Sequence, residues 1–266
     1  MMSLLSPRRS IGRRAQDTTG PSIDALPRMR GATPLSSDDL TLSVLIPVYN
    51  EEQTIEFIVK QVRSVSVKKE IICVNDCSTD GTRAILDRLL AEGMINRLVH
   101  KDVNEGKGAA IRTALSISTG NVVIVQDADL EYDPADWPQM LQPIIEGKAD
   151  AVFGSRFLSG PHRVLYFWHS VGNRLLTLAS NVFTNLNLTD METCYKAIRG
   201  DLARGLVLTS NRFGFEPEIT ARLAQQRVRI FEVPISYSGR TYAEGKKIGW
   251  RDGVAAIWHI IRFNLL

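Results

Sequence analysis

The sequence predicts an α/β protein built on a doubly wound sheet. Strand-like apolar runs alternate with helical patterns and begin near residues 42, 70, 97 and 121. The runs are rich in β-branched residues, which is typical of strands buried on both faces. Each run also ends in polar residues, at the edge where open α/β sheets bind ligands. We therefore expect a ligand crevice at the carboxyl ends of these strands.

The composition is that of an ordinary globular protein. The chain has 266 residues, 44% of them hydrophobic and 23% charged, which is enough for one sizeable α/β domain with additions. A net charge of +3 is too small to indicate a nucleic-acid partner. Three cysteines (Cys73, Cys77 and Cys194) fit a reduced compartment, and no second pair completes a zinc site with the first two.

Residues 1–40 are predicted to form a flexible tail. They are rich in Ser, Pro, Thr and Arg and show no sustained periodicity. The pair Arg8 and Arg9 is typical of a twin-arginine signal, but no apolar segment follows it, so export is not predicted. Contact of the tail with an anionic membrane and a solvated leader are both open interpretations.

The first two strands bring polar groups to the predicted crevice. The strand that starts at Leu42 must end near Pro47, because proline cannot donate to a central ladder, and a helix follows over residues 54–65. The second strand, over residues 70–75, runs into Asp76, whose position at the strand tip suits a ribose or a base edge. The hydroxyls and the acid of residues 78–80 are explained as well by capping of the next helix.

Lys107 lies between Gly106 and Gly108 in the following loop. The glycines let backbone approach a ligand closely, and the lysine and the next helix N-terminus favour an anion such as a diphosphate. A plain loop also fits this short pattern.

The central strand, which begins at residue 121, ends in two carboxylates, Asp127 and Asp129, separated by Ala128. Ionised carboxylates at a strand tip need water or a cation, because burying a lone ion costs several kcal/mol. Together with Glu131 they form an oxygen-only set that suits Mg²⁺ or Mn²⁺ bound to substrate phosphates. An isolated Asp-x-Asp is otherwise a solvated turn.

Five segments in order resemble glycosyltransferase family 2, in its dolichol-phosphate-mannose-synthase-like branch. The segments are residues 46–51, 74–82, 104–108, 127–131 and 154–156, and the resemblance extends over about 41–240. It implies a GT-A-type, Rossmann-like, doubly wound mixed sheet in one catalytic domain at 41–240, followed by a basic loop and an amphipathic helix at 241–266.

The resemblance also implies an inverting transfer of a sugar from a UDP- or GDP-linked donor. The nucleotide-binding set it implies is Pro47, Tyr49, Glu51 and Asp76, and the metal set is Asp127, Asp129 and Glu131. A polyprenyl phosphate is the favoured acceptor, and a hydroxyl of a saccharide or small molecule is the alternative. A non-catalytic nucleotide-sugar-binding module is disfavoured because both aspartates are intact.

Basic residues are expected to assist departure of the diphosphate, since negative charge develops on it. The candidates are Lys107, Arg156, Arg240, Lys246 and Lys247. The last three lie in a Gly-containing loop that either closes over the donor or stays solvated.

The resemblance implies that Asp190 lies on the acceptor side. It would act as a general base for a hydroxyl acceptor, whereas with an ionised phosphate acceptor Asp190 or Glu192 would only position groups. Glu216 and Glu218 begin a helix that the resemblance places beside the acceptor, and the sequence does not separate their roles. The aromatic segment 157–169 suits either core packing or a lipid acceptor.

Residues 248–266 have an amphipathic helical spacing that is too short and interrupted to span a bilayer. Packing on the domain, peripheral membrane contact and homo-oligomerisation all fit it. We expect a cytoplasmic protein, or one bound peripherally at the cytoplasmic face of the membrane.

Overall fold

The computed structural model describes residues 34–36, 39–158, 163, 166–212, 214–240 and 250–265. Most of the predicted tail, residues 1–33, lies outside these ranges, and so do Lys246 and Lys247 of the predicted basic loop. The aromatic segment 157–169 is described only in part.

Seven strands alternate with eight α-helices along the part of the chain that is described. The strands are β1 (Leu42–Val48), β2 (Lys69–Asn75), β3 (Arg97–His100), β4 (Val122–Val125), β5 (Ala151–Ser155), β6 (Lys196–Arg199) and β7 (Ile230–Pro234). The helices are α1 (Ile55–Ser64), α2 (Thr82–Ala91), α3 (Lys107–Ser116), α4 (Trp137–Ile145), α5 (Phe167–Thr184), α6 (Gly200–Gly205), α7 (Phe215–Gln225) and α8 (Trp250–Leu265).

The strands form one mixed sheet in the order β3-β2-β1-β4-β6-β5-β7. β1 pairs in parallel with both β2 and β4, so the order reverses direction at β1 and β4, as the doubly wound prediction requires. β6 runs antiparallel to β4 and β5, and β7 returns parallel to β5. The predicted mixed α/β sheet is therefore confirmed.

The core lies on both sides of the central strands. Every residue of β4 is buried, as expected of its continuous run of Val and Ile. α1 covers the sheet through Ile55, Ile58, Val59 and Val62, an apolar stripe with helical spacing. Trp137 at the start of α4 is fully buried and fills the core near the other end of the sheet.

The helices α5 and α8 pack against each other, and α8 also packs on α7. The described part of α8 buries Ala256, Ile260 and Phe263, so packing on the domain accounts for one face of the predicted amphipathic helix. Trp258 of the same helix remains exposed. No helix within the described ranges has the length and apolar character needed to cross a bilayer.

Candidate active site

The carboxyl ends of the parallel strands and the amino end of β6 meet at one edge of the sheet. Because β6 runs opposite to β4, the segment before β6 lies beside the segment after β4. The Tyr195 hydroxyl donates to Oε1 of Gln126 at 2.6 Å, and the Cys194 amide donates to the Tyr132 hydroxyl at 3.2 Å. These contacts bring the loop of residues 190–194 against the acidic segment of residues 127–131.

Asp127 is paired with Lys107. Lys107 Nζ lies 2.8 Å from Oδ1 of Asp127 and 3.0 Å from Oε1 of Glu216, which comes from the first turn of α7. Burial alone would lower the pKa of Lys107, but Asp127 and Glu216 raise it well above its ordinary value. The lysine is therefore charged and joins the loop before α3, the tip of β4 and the start of α7.

Asp129 and Glu131 are paired with Arg240, which follows β7. Arg240 Nη2 lies 2.8 Å from Oδ2 of Asp129, and its Nε lies 3.2 Å from Oε1 of Glu131. The second oxygen of Glu131 accepts from the Tyr237 hydroxyl at 2.8 Å. Burial, with repulsion from Asp127 and Glu131, raises the pKa of Asp129 to about 7 despite the arginine. Further positive charge would stabilise the ionised form of this carboxyl.

The acidic segment fits a divalent cation in its donor chemistry. Asp127, Asp129 and Glu131 supply only carboxylate oxygens, which are the ligands that Mg²⁺ and Mn²⁺ prefer. Lys107 and Arg240 hold these oxygens in the structure, and the described residues contain no preformed cluster of three metal-ligating side chains. The donor set fits the ion, provided that the two basic side chains turn from carboxylates to phosphates.

Asp76 fixes the loop that carries Lys107. Its carboxylate accepts from the backbone amides of Glu105, at 3.1 Å, and Gly106, at 2.6 Å. Gly106 has φ 99°, a conformation that favours glycine. Its predicted contact with a nucleotide stays a prediction, and in this structure the buried side chain positions Lys107.

The glycines beside Lys107 approach the chain's own backbone. A Cβ at Gly106 would lie 2.5 Å from the carbonyl oxygen of Asn211, and one at Gly108 would collide with the carbonyl of Ser210. The amide of Ala109 donates to the same Asn211 carbonyl at 3.1 Å. These contacts lock the start of α3 to the segment before α7, and the close approach of this backbone to a ligand stays a prediction.

Arg156 and Asp190 form a buried, two-pronged ion pair. Nε and Nη2 of Arg156 lie 2.6 and 2.7 Å from the two Asp190 oxygens, and the Arg156 amide and Asn173 Nδ2 each donate to Asp190 at 3.1 Å. Burial would lower the pKa of Arg156, but Asp190 raises it well above its ordinary value. The Arg156 guanidinium also lies over the Tyr237 ring, 5.1 Å from its centroid. Asp190 is fully buried, so its role in this structure is to hold Arg156.

The predicted nucleotide residues after β1 lie on the same edge. Pro47 pairs with Val74 near the end of β1, Tyr49 is 41% exposed, and the chain then turns at Asn50 with φ 52°. Glu51 accepts from the Thr54 hydroxyl at 2.7 Å and lies 3.9 Å from Arg240 Nη1. An exposed ring beside a charged crevice is available to stack on a base.

The structure separates Glu216 from Glu218. Glu216 reaches Lys107, as described above. Glu218 is fully buried and accepts from the amide and hydroxyl of Thr209, both at 2.8 Å, and from the amide of Ser210 at 2.7 Å. Its geometry assigns it to fixing the turn before α7.

Sequence reasoning missed Tyr237 and Asn173, which hold Glu131 and Asp190. It also missed Lys196, a fully buried cation on β6 whose Nζ donates to Met191 O at 2.9 Å. The signal for Lys196 was a lysine inside an apolar strand-like run. Tyr237 and Asn173 carried no such signal, because their partners are more than a dozen residues away.

Comparison with known proteins identifies the family of the chain. A family model described as glycosyl transferase family 2 matches residues 43–206, more than half of the chain. The chain is 29% identical over 241 residues to the undecaprenyl-phosphate mannosyltransferase of Micrococcus luteus, covering 83% of this chain and 97% of that protein. It is 28% identical to the glycosyltransferase AglJ of Haloferax volcanii over 74% of this chain, which spans 63% of AglJ.

Solved structures agree on the fold. The chain superposes on glucosyl-3-phosphoglycerate synthase of Mycobacterium tuberculosis, in complex with Mn²⁺, UDP and glucosyl-3-phosphoglycerate, with a TM-score of 0.66 and 20% identity, covering 86% of this chain and 81% of that one. Another structure of this synthase gives a TM-score of 0.67 at 21% identity, covering 85% and 81%. The chain has the GT-A fold and belongs to glycosyl transferase family 2: it is a glycosyltransferase.

Proposed function

We propose that this enzyme moves a sugar from a nucleoside diphosphate to a polyprenyl phosphate, with inversion at the anomeric carbon. The observation that supports a diphosphate donor most directly is the pairing of Lys107 with Asp127 and of Arg240 with Asp129 at one edge of the sheet. A donor diphosphate brings the anionic oxygens that both cations can bind instead.

The carboxylates are then free for the metal. Mg²⁺ or Mn²⁺ would be held by Asp127 and Asp129, with Glu131 as a third ligand. When bound, such an ion stabilises, as a Lewis acid, the charge that develops on a departing diphosphate. The M. tuberculosis synthase, which shares the fold, was solved with Mn²⁺ and UDP.

The reaction is a displacement at the anomeric carbon. An oxygen of the acceptor phosphate forms the new bond, while the bond to the donor diphosphate breaks and its electron pair leaves with the nucleoside diphosphate. Lys107 and Arg240 orient the diphosphate and stabilise its charge, and Arg156 offers a positive side chain on the acceptor side. No proton has to move, because a phosphate monoester carries an ionised oxygen at neutral pH.

The environment of Asp190 supports a phosphate acceptor. A general base must reach the proton that it removes, and Asp190 is fully buried and bound to Arg156 and Asn173. An ionised phosphate needs no base, and Arg156 suits its charge. The M. luteus relative is named an undecaprenyl-phosphate mannosyltransferase.

Transfer to a hydroxyl of a small molecule is the second candidate. The M. tuberculosis synthase was solved with phosphoglyceric acid and with glucosyl-3-phosphoglycerate, so this fold also serves small acceptors. Competition between a polyprenyl phosphate and phosphoglyceric acid as acceptors separates the two candidates.

An exposed apolar stripe on α5 supports peripheral contact with a membrane that holds the acceptor. Trp168, Leu175, Leu178 and Val182 are 60–77% exposed and recur on one side of the helix, and Phe167 beside them is 70% exposed. Helices that lie in a bilayer interface carry such a face, with aromatic residues at the headgroup level. We call these five residues the α5 apolar face.

The test of the function is a donor and acceptor panel. UDP- and GDP-linked sugars are incubated with Mg²⁺ or Mn²⁺ and undecaprenyl phosphate, and NMR of the product gives the anomeric configuration. We expect one nucleotide to support transfer and the configuration to be opposite to that of the donor. Retention would reject inversion, and absence of binding by every donor would reject the donor class.

Asp127→Asn and Asp129→Asn test the metal and donor assignment. Each is expected to reduce metal-dependent transfer about 100-fold or more, because it removes an anionic ligand. Asp201→Asn, at an exposed aspartate on α6 at the opposite edge of the sheet, is the matched control. If both site variants kept metal-dependent donor binding at the wild-type level, Asp127 and Asp129 would not be the metal ligands.

A further inference from the structure

Two polar side-chain atoms of the loop before β6 are buried without a hydrogen-bond partner. They are Oε1 of Glu192 and Oγ1 of Thr193, and no described residue supplies a partner to either. Buried polar atoms are nearly always paired in folded proteins, so two adjacent exceptions point to a ligand of this loop. The function proposed above makes no use of them.

The backbone around Glu192 is firmly held. Lys196 Nζ donates to the carbonyl oxygens of the residues before and after Glu192, which are Met191, at 2.9 Å, and Thr193. The amide of Cys194 donates to the Tyr132 hydroxyl at 3.2 Å. The loop is therefore fixed against the acidic segment. The unpaired oxygen of Glu192 belongs to a residue whose backbone is held in place.

Glu192 lies within electrostatic range of both halves of the site. Glu216, on α7, belongs to the group around Lys107, whereas Arg156 and Asp190 form the buried pair on the acceptor side. Glu216 and Asp190 repel an ionised Glu192, and Lys196 and Arg156 attract it. The Glu192 carboxyl thus interacts electrostatically with members of both groups.

At neutral pH this carboxyl is largely protonated. Burial, with repulsion from Glu216, raises the pKa of Glu192 to about 8. A neutral carboxyl has an O–H donor, which an ionised one lacks. It can therefore bind an anionic oxygen that an ionised glutamate would repel.

We propose that Glu192 donates a hydrogen bond to the phosphate group of the acceptor, and that Arg156 supplies positive charge to the same phosphate. This inference rests on the proposed phosphate acceptor and adds a binding subsite to it. Glu192 is the member of that subsite whose charge depends on pH, so acceptor binding depends on its proton.

The subsite predicts how acceptor affinity responds to pH. Above about pH 8 the ionised carboxylate loses its donor and repels the phosphate, so the acceptor KM of the wild type should rise about 10-fold by about pH 9. Glu192→Gln keeps the size and an N–H donor and cannot ionise. Its KM should be raised about three-fold near pH 7 and should not rise further with pH.

Glu192→Ala removes the donor altogether. It should raise the acceptor KM about 30-fold near pH 7, with donor binding unchanged, because only the acceptor loses a charge-assisted hydrogen bond. Glu146→Gln, at the end of α4 and outside the site, is the matched control. The subsite would be overturned if Glu192→Ala had the acceptor KM of the wild type. It would also be overturned if the acceptor KM of Glu192→Gln rose with pH as much as that of the wild type.

A binding measurement separates this inference from the proposed function. A short-chain isoprenyl monophosphate is titrated into wild type, Glu192→Gln and Glu192→Ala by calorimetry, and donor binding is measured in parallel. Failure of wild type to bind any donor rejects the proposed function. Binding of the monophosphate that is equal in all three proteins, and equally dependent on pH, rejects the subsite even where transfer is observed.

Discussion

Arg240 Nη2 lies 2.8 Å from Oδ2 of Asp129, and this ion pair ties the chain after β7 to the acidic tip that follows β4. The same side chain reaches Glu131 at 3.2 Å. A cation that belongs to the chain therefore occupies carboxylates proposed to bind a metal, and arginine and metal compete for the same oxygens.

Arg240→Met tests this competition. Removing the guanidinium should tighten binding of Mn²⁺ in the absence of nucleotide about 10-fold, because the carboxylates lose a competitor, and should reduce transfer about 100-fold. Calorimetry with Mn²⁺ alone and a transfer assay measure the two effects. Arg229→Met, which breaks the Arg229–Asp150 pair outside the site, is the control. Weaker Mn²⁺ binding in Arg240→Met would mean that the arginine organises the site instead of competing for it.

Gly106→Ala tests the loop that presents Lys107. The new Cβ would lie 2.5 Å from the Asn211 carbonyl at a residue with φ 99°, so the loop must shift. We expect a loss of about 2 kcal/mol in the free energy of unfolding and weaker donor binding, as Lys107 moves from Asp127. Gly205→Ala, where a Cβ meets nothing within 4 Å, controls for the loss of a glycine. Donor affinity equal to the wild type would show that the loop adapts.

Asp190→Asn tests the buried pair with Arg156. The variant leaves the guanidinium without its counter-ion, so the free energy of unfolding should fall by about 3 kcal/mol and transfer should be lost. Chemical denaturation measures the first effect. Asp201→Asn, at a carboxylate whose side chain is 81% exposed, should match the wild type. A stable Asp190→Asn variant with intact donor binding but no transfer to a hydroxyl acceptor would instead restore the general-base interpretation.

The α5 apolar face predicts membrane binding. Trp168→Ser combined with Leu178→Ser should weaken sedimentation with anionic lipid vesicles about 10-fold or more, because both side chains are exposed and their burial in the interface is lost. Phe57→Ser changes a residue on α1 that is 62% exposed, and serves as the control. If Phe57→Ser weakened sedimentation with vesicles as much as the double variant does, the binding would be non-specific and would not depend on the α5 apolar face.

The raised pKa of Glu192 has a consequence for stability. The unfolded chain ionises this group near its ordinary value of about 4.3, whereas the folded protein keeps the proton until about pH 8, so the wild-type free energy of unfolding falls as pH rises between them. Glu192→Gln should therefore be stabilised relative to wild type by about 3 to 4 kcal/mol more near pH 8 than near pH 5. Denaturation at the two pH values measures the difference, and a constant offset would contradict the assignment.

The fold was predictable because its central strands have a simple signature. β1, β2 and β4 are buried runs with polar ends, and their parallel direction follows from the alternation with helices. Pairs such as Arg156 with Asp190 could not be predicted, since they depend on how β6 lies between β4 and β5. Asp76 and Glu218 illustrate the same difficulty, because a carboxylate at a strand end or helix start suits a ligand and a backbone amide equally well.

The reversed direction of β6 brings two different kinds of segment to the same edge of the sheet. The parallel strands contribute the segments that follow them to this edge, whereas the antiparallel β6 contributes the segment that precedes it. Residues 185–195 are therefore separate in the chain from the segments that are proposed to bind the nucleotide. Exchange of that short stretch between family members should retarget the molecule that receives the sugar while leaving the choice of donor as it was.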